Sequence, residues 1–221
     1  MAFVLTEIEI RVLGSLIEKQ LATPEYYPLT LNALVAACNQ KSSRDPVVNY
    51  SDTQVLAALD DLRDKNLVYI FYGSSSRTPK YKHMMREVFE LSTSQVALMC
   101  VLMLRGAQTV GELRERTGRL YEFSGFDEVE EDLNALIASD IQPLVMRLPR
   151  QPGQKESRLA HLLAGEAVIQ ATIERTATLE QTAVNPGQTE RIAKLEAQVE
   201  TLASELESLK QMFEDFKKQF E

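Results

Sequence analysis

The stretch LTEIEIRVLGSLIEK, at residues 5–19, has a counterpart 86 residues later in LSTSQVALMCVLMLR, at residues 91–105. Each opens on a capping box, in which an N-cap hydroxyl accepts from the backbone three residues on and a Glu or Gln side chain reaches back. Thr6 with Glu9 forms the first box, and Ser92 with Gln95 forms the second. Apolar residues then recur at helical spacing in both stretches. The chain is therefore predicted to contain two similar halves, each beginning with an amphipathic helix.

The later elements of the two halves also correspond. A second helix is predicted to start at Thr30 and at Thr109, and a third near Ser51 and around Val129. Strand-like runs follow at 67–72 and 144–148, and each leads through a turn to a second run, KYKHMM at 80–85 and RLAHLL at 158–163. Three helices followed by a β-hairpin is the order of a winged helix. The sequence predicts a mainly α fold with small β-hairpins, made of tandem winged-helix domains at 1–90 and 91–164, a connector at 165–187 and a C-terminal coiled-coil helix at 188–221.

The predicted C-terminal helix carries strict heptads. Its nine a and d positions over four heptads are all apolar, which is typical of a coiled-coil seam. Branched residues at the first a positions with Leu at d favour a parallel homodimer, and a helix that folds back on its own chain is the alternative. The predicted dimerisation residues are Ile192, Leu195, Val199, Leu202, Leu206, Leu209, Phe213 and Phe216.

Composition limits the classes of partner and compartment. The 221 residues include 24 Lys and Arg against 32 Asp and Glu, for a net charge of -8, which argues against coating nucleic acid through bulk charge but permits a local basic patch. The longest wholly apolar run, at 96–104, is far shorter than the roughly 20 residues of a membrane-spanning helix. The opening MAFVLTEIEI lacks the basic stretch of a signal peptide. We therefore expect a cytoplasmic protein with no membrane partner.

A family resemblance is carried by the segment NQKSSRDPVVNY, at residues 39–50, which lies between TLNAL at 30–34 and the third predicted helix. This segment resembles the bacterial YceH family. The opening LTxxExxVLGxLxEK, the pair Tyr72-Gly73 and the later Lys80-Tyr81-x-His83 are similar to it as well. The resemblance extends over roughly residues 3–165 and the heptad tail. It implies two tandem winged-helix domains and no particular activity.

The first half contains a candidate DNA surface. Residues 73–86 hold four basic and no acidic side chains, whereas residues 1–90 as a whole hold ten basic and eleven acidic ones. Lys and Arg neutralise phosphates, and Asn and Gln pair with adenine edges. The predicted DNA-binding residues are Lys41, Arg44, Asn49, Ser51, Thr53, Gln54, Arg77, Lys80, Lys82 and Arg86. Three aspartates, at 60, 61 and 64, and the long link at 40–50 favour instead a solvated or protein-binding wing.

The second half is expected to be a poorer DNA reader. Its third predicted helix has five carboxylates in the six residues 127–132, which would repel phosphate. Basic residues do precede and follow that helix. A solvated amphipathic helix and a surface for a partner are the two interpretations.

The remaining reactive residues predict no chemistry. His83 and His161 occupy equivalent places in the repeat and are expected to make structural hydrogen bonds at the edge of each core. Cys38 and Cys100 lie on apolar helix faces and are expected to be buried. No His or Cys has metal-ligand spacing, and the chain has no phosphate-binding Gly loop and no nucleophile elbow. We therefore expect no metal, no cofactor and no enzymatic activity.

Two functions remain open at this point. The first is a cytoplasmic, dimeric protein of transcription-regulator type that binds double-stranded DNA, with the wing on phosphates and the first turn of the third helix facing the groove. The alternative is a non-enzymatic protein–protein adaptor or scaffold that uses its tandem winged helices to bind a protein partner. The basic wing favours the first function, and the acidic total favours the second.

Overall fold

The helices of the computed structural model begin at the residues that the sequence predicts as caps. Each predicted cap hydroxyl accepts a hydrogen bond from the backbone of the third helical residue, and a Glu or Gln completes a full capping box in all cases but Thr30. The confirmed caps are Thr6, Thr30, Ser51, Ser92 and Thr109.

The structure describes residues 3–72, 78–150, 156–165, 198 and 201. The chain divides into two units, Met1–Gln170 and Ala171–Glu221. In the second unit, Gln198 and Thr201 are helical. The predicted heptad seam and Arg77 lie outside the described residues.

The first half of unit one contains four α-helices and a small sheet. In chain order these are α1 (Glu7–Ala22), β1 (Leu29–Thr30), α2 (Leu31–Cys38), α3 (Asp52–Asp64), β2 (Val68–Phe71), β3 (Lys80–His83) and α4 (Met85–Val88), with a 3-10 turn at Pro24–Tyr26. The second half consists of α5 (Thr93–Arg105), α6 (Val110–Thr117), α7 (Phe126–Ile137), β4 (Val145–Arg147) and β5 (Leu159–His161). The fold is mainly α-helical with small antiparallel sheets, as predicted.

Both predicted hairpins form, and each acquires a further pairing that the sequence did not predict. In the first sheet the strand order is β1-β3-β2, with Leu29 opposite Tyr81. In the second half Gln108 makes an isolated bridge to Leu159, which occupies the same place in the repeat as Tyr81. A two-residue strand is too short to show an alternating pattern, which is why the sequence does not reveal β1.

The two halves share one continuous core because α1 packs against α5 as well as against α2 and α3. Every residue from Glu9 to Glu18 is buried, so α1 is covered on all sides. The helices meet closely at Gly14, where an added Cβ would lie 3.0 Å from Leu104 Cδ2. The segment just before α1 also joins the halves, since the Leu5 backbone N–H donates to the Leu163 carbonyl at 2.7 Å.

No helix in the described part of the chain is both long enough and apolar enough to cross a membrane.

Candidate nucleic-acid interface

The first turn of α3 projects into solvent. Asn49, Ser51, Thr53 and Gln54 are all exposed, as the DNA-binding hypothesis requires. Gln54 has a structural duty as well, because its Oε1 accepts from the Ser51 backbone N–H at 3.0 Å and from the Ser51 hydroxyl at 3.2 Å. The side-chain oxygen of Gln54 is therefore occupied by the helix cap. Its side-chain N–H groups are left as donors for a contact outside the cap.

Acidic side chains lie on the same helix. Asp52 occupies the first helical position, where its carboxylate interacts favourably with the positive end of the helix dipole. Asp60, Asp61 and Asp64 are exposed toward the C-terminal end, and Asp60 accepts from Arg63 at 2.9 Å. Since a deeply inserted helix would bring these carboxylates near phosphates, only the N-terminal turn of α3 is suited to a DNA groove.

The hairpin of β2 and β3 presents two lysines on its outer face. Lys80 lies opposite Phe71 and Lys82 opposite Tyr69, so the four side chains share one face of the antiparallel pair. Lys82 Nζ also lies 3.7 Å from Glu87 Oε1. Arg86, on α4, is exposed. The described part of the predicted wing thus keeps its three basic side chains at the surface, with one acid beside them.

The predicted DNA-contacting set has to be corrected at Arg44. Its side chain is 0% exposed and makes a two-pronged ion pair with Glu18, at 3.1 Å to Oε1 and 2.6 Å to Oε2. Its guanidinium also donates to the Ala37 carbonyl and to Gln40. Because every face of this guanidinium points into the protein, Arg44 cannot reach a phosphate. Lys41, three residues earlier, is exposed and remains a candidate.

The whole 39–50 segment is held against the body of the protein. The Asn39 side chain donates to the Tyr50 carbonyl and accepts from the Tyr50 N–H, both at 2.8 Å, so it closes the segment into a loop. Arg11 donates to the Pro46 carbonyl at 2.6 Å. From the second half, α5 supplies the Leu104 carbonyl as an acceptor for the Asp45 N–H at 2.9 Å. The segment that carries the family resemblance is therefore a structural joint between the halves.

Glu18 is the centre of this joint, which we call the Glu18 clamp: Glu18, Arg44 and Arg119. Arg119, which follows α6 in the second half, also donates to Glu18 Oε1. Burial alone would raise the pKa of Glu18, but the Arg44 hydrogen bonds and charge, helped by Arg119 and Lys19, hold that pKa below its usual value. The carboxylate is therefore ionised and binds two guanidinium groups from different parts of the chain.

Sequence reasoning missed the clamp because its members are far apart along the chain. The sequence offers one signal, because Glu18 directly follows Leu16 and Ile17 in a helix rich in apolar residues, and the structure shows that its position is covered. An acidic residue on such a helix needs a buried cation.

His83 is buried at the back of the hairpin. Its Nδ1 accepts from the Met85 N–H at 3.3 Å, which confirms the structural hydrogen bond predicted for His83 and places the proton of the neutral ring on Nε2. Among the described residues, neither His83 Nε2 nor His161 Nδ1 has a hydrogen-bond partner, so the bond predicted for His161 is not seen at that atom. Burial lowers the pKa of His83 to about 4, and burial does the same for His161. His83 also lines a cavity of about 290 Å³ together with Gln20, Leu21, Arg86, Glu87, Thr93 and Val96.

The two cysteines are buried, as predicted. Burial raises the pKa of Cys38 to about 11 and raises that of Cys100 further, so both thiols are protonated and unreactive at neutral pH. Cys100 Sγ donates to the Gly14 carbonyl at 3.5 Å. Within the described residues, no group of three or more His, Cys, Asp or Glu side chains is arranged to hold a metal ion.

The second half presents a different surface. On α7, Asp127, Glu130 and Glu131 are exposed, and Arg147 of the second hairpin lies 4.0 Å from Glu130. Glu128 accepts from the Tyr121 hydroxyl at 2.9 Å and from Ser124. This acidic surface would repel DNA phosphates because both are negatively charged. The DNA-binding hypothesis is therefore limited to the first half.

Comparison with known proteins identifies the family. A family model described as "Protein of unknown function, DUF480" matches residues 5–154. A UPF0502 protein of Opitutus terrae is 53% identical over 186 residues, which cover 80% of this chain and 81% of the relative. A UPF0502 protein of Geobacter sulfurreducens is 51% identical over 222 residues and the full length of both chains, and one of Geotalea uraniireducens is 50% identical over 98% of each. The chain belongs to this family, and the resemblance predicted from residues 39–50 is confirmed.

Proposed function

We propose that this member of the DUF480 family is a non-enzymatic, cytoplasmic protein of transcription-regulator type that binds double-stranded DNA through its first half. One observation carries the proposal. The start of α3 and the residues just before it expose two amides and two hydroxyls, at Asn49, Ser51, Thr53 and Gln54, and the hairpin directly after α3 carries two partly exposed lysines on its outer face.

The order of elements supports two tandem winged helices as the framework. Each half has a long capped helix, a short second helix, an amphipathic third helix and then an antiparallel hairpin. In each half the residues just before the second helix pair with the returning strand of the hairpin. Winged helices use the third helix as the reader of the major groove and the hairpin as a contact to the backbone.

Phosphate binding falls to Lys41, Lys80, Lys82 and Arg86, with Arg77 as a further member predicted from the sequence alone. Charges at the surface of a chain with a net charge of -8 act locally, because at physiological salt the Debye length is about 8 Å. The acids elsewhere in the molecule are therefore largely screened from phosphates that lie against the hairpin.

Base recognition falls to Asn49, Ser51, Thr53 and Gln54. Since Gln54 Oε1 is used by the cap, its amide would act as a donor toward N7 of a purine, O6 of guanine or O4 of thymine. Two-pronged pairing with adenine would require Gln54 to release Ser51.

The experiment compares two hairpins that lose equal charge. Lys80→Gln with Lys82→Gln removes two cations from the first hairpin, and Arg147→Gln with Arg150→Gln removes two from the second. Binding to a labelled 30-bp duplex of mixed sequence is measured by fluorescence anisotropy at low salt. We expect the first pair to weaken binding at least tenfold and the second to change it less than threefold. Equal losses from both pairs, or no duplex binding by the natural chain, would contradict the proposal.

A protein–protein adaptor is the second candidate function. It is favoured by the large apolar side chains exposed beside the lysines, namely Tyr69, Phe71 and Tyr72. If the chain is an adaptor, the hairpin substitutions should abolish binding of an isolated protein partner. Neither the natural chain nor any variant should then bind the labelled duplex.

We also propose that the chain is a homodimer through the predicted heptad seam. The support is the sequence pattern of Ile192, Leu195, Val199, Leu202 and Leu209, whose apolar stripe would otherwise face water. Leu202→Asp with Leu209→Asp should convert a dimer into a monomer in light scattering. A natural chain that is already monomeric at tens of micromolar would favour the fold-back alternative.

A further inference from the structure

The outer face of the first hairpin carries two aromatic rings on β2, each opposite a lysine on β3. Tyr69 is 60% exposed and lies opposite Lys82, and Phe71 is 46% exposed and lies opposite Lys80. Directly opposite residues in an antiparallel pair have Cβ atoms about 5 Å apart. The two rings are two residues apart on one strand, so they lie about 7 Å from each other on the same face.

Neither ring belongs to the buried core. The other face of the hairpin supplies the packing, through Val68, Tyr81 and His83, each of which is at most 4% exposed. The register therefore fixes Tyr69 and Phe71 outward, and no slip of the strand could bury them without exposing that set. Tyr72, 65% exposed, extends the aromatic surface toward the turn.

The chemistry of this face selects its occupant. Exposed aromatic rings on a sheet offer flat surfaces on which unpaired bases stack, and lysines on the neighbouring strand can neutralise the phosphates that link those bases. A duplex cannot use the rings in this way, because its bases are already stacked on one another. A purely apolar protein partner would leave the two ammonium groups to be desolvated at a cost.

We propose that the outer face of the β2–β3 hairpin binds an unpaired nucleic-acid strand, with bases stacked on Tyr69 and Phe71 and phosphates held by Lys80 and Lys82. The inference rests on the proposed function in so far as both assign nucleic acid to this hairpin. It adds that the substrate includes a single-stranded segment, so that Lys80 and Lys82 serve phosphates of either kind of strand, while α3 and its amides contact duplex DNA alone.

The test measures binding of the full chain to three labelled probes by fluorescence anisotropy at low salt: a dT12 strand, an rU12 strand and a mixed-sequence duplex. Tyr69→Ala with Phe71→Ala should weaken dT12 binding by about tenfold or more. Phe126→Ala is the matched control, since Phe126 is 53% exposed but lies on α7 in the second half, and it should change binding less than twofold. Far-UV circular dichroism melts check that each variant is folded.

Two further variants separate stacking from other forms of contact. Tyr69→Leu with Phe71→Leu keeps apolar area but removes the ring faces, so it should lose dT12 affinity nearly as fully as the alanine pair. Retained affinity in the leucine pair would overturn the stacking proposal. Lys80→Gln with Lys82→Gln should lower the slope of log affinity against log salt by about 1.4, because each phosphate on a single strand contributes roughly 0.7. An unchanged slope would show that Lys80 and Lys82 do not contact the phosphates of the strand.

The probes also separate this inference from the proposed function. If the natural chain binds duplex but not dT12 or rU12, the inference fails and the proposed function stands. If it binds a single strand but not duplex, the proposed function fails and the inference stands. A preference between dT12 and rU12 identifies the strand as DNA or RNA.

Discussion

Glu18 joins three parts of the chain that are far apart in sequence. Its carboxylate is held by Arg44, 26 residues away, and by Arg119, 101 residues away in the other half. Both the Glu18 side chain and the Arg44 side chain are almost fully covered, so the loss of Arg44 leaves Glu18 without its main partner and the loss of Glu18 leaves Arg44 buried without an anion. The clamp is therefore expected to be the most sensitive polar site in the molecule.

The first prediction concerns this clamp. Arg44→Met should lower the free energy of unfolding by about 3–5 kcal/mol, because it leaves the Glu18 carboxylate buried without its main partner. Lys19→Ala, which removes a partly exposed cation 3.7 Å from the same carboxylate, should cost less than about 1 kcal/mol. Urea unfolding measures both. An Arg44 variant as stable as the Lys19 variant would show that the buried Glu18–Arg44 pair does not stabilise the fold.

The second prediction concerns the two histidines, of which His83 is 2% exposed and His161 is partly exposed. Folded His83 and His161 have a pKa of about 4, whereas in the unfolded chain the value is near 6.5, so the unfolded state binds more protons between these values. Stability should therefore be full above pH 6.5 and fall as the pH is lowered toward 4. The loss between pH 6.5 and 4.5 is about 2 kcal/mol for His83 and less for the partly exposed His161.

His83→Asn tests the assignment, because its Oδ1 can accept from the Met85 N–H in place of Nδ1. The variant should lose at least half of the pH dependence of the unfolding free energy in that window. If the slope of stability against pH is the same in the variant and the natural chain, titration of His83 is not its source.

At the scale of elements, sequence reasoning succeeds where the cause is local. The caps at Thr6, Ser51 and Thr109 each depend on residues three apart, so a short pattern specifies them. The hairpins are equally local. The role of residues 39–50 could not be predicted, because the partners of Arg44 and Asp45 are brought close only by tertiary packing of α1 and α5. The prediction that Arg44 contacts a phosphate was wrong because tertiary packing buries its side chain against Glu18.

The third prediction separates the two duties of Gln54. Gln54→Ala removes both the capping acceptor and the donor proposed for a base, whereas Ser51→Ala removes the hydroxyl of the same cap. Each should lower the free energy of unfolding by about 0.5–2 kcal/mol. Only Gln54→Ala should also lower discrimination between duplex sequences at one position, by about 1–3 kcal/mol, as measured by competition binding.

The Gln54 result has a clear contrary outcome. If Ser51→Ala and Gln54→Ala change sequence preference equally, the effect comes from fraying of the first turn of α3. The amide of Gln54 would then not be a base contact.

At the scale of the whole molecule, the two halves form one folding unit because they share a core. The contact at Gly14 shows how tightly α1 and α5 meet, since an added Cβ would be 3.0 Å from Leu104 and 3.3 Å from Met103. The carbonyl of the same residue accepts from Cys100. Damage at this crossing should therefore be felt by both halves together.

The fourth prediction follows from that crossing. Gly14→Ala should lower the free energy of unfolding by about 1–3 kcal/mol through overpacking, with both halves melting in one transition. Gly111→Ala, where the nearest atom to an added Cβ is 3.9 Å away, should be neutral or stabilising by up to about 1 kcal/mol. Differential scanning calorimetry measures both variants. Separate melting of the halves in the Gly14 variant would show that they do not depend on one another.

The salt dependence of duplex binding tests most directly whether the first hairpin holds DNA phosphates. Each phosphate that the protein neutralises on duplex DNA contributes about 0.9 to the slope of log affinity against log salt. Changing Arg77, Lys80 and Lys82 to Glu should lower the magnitude of that slope by about two to three and weaken binding on every sequence alike. A slope that is the same in the triple variant and the natural chain, with both folded by thermal melt, would contradict the proposal.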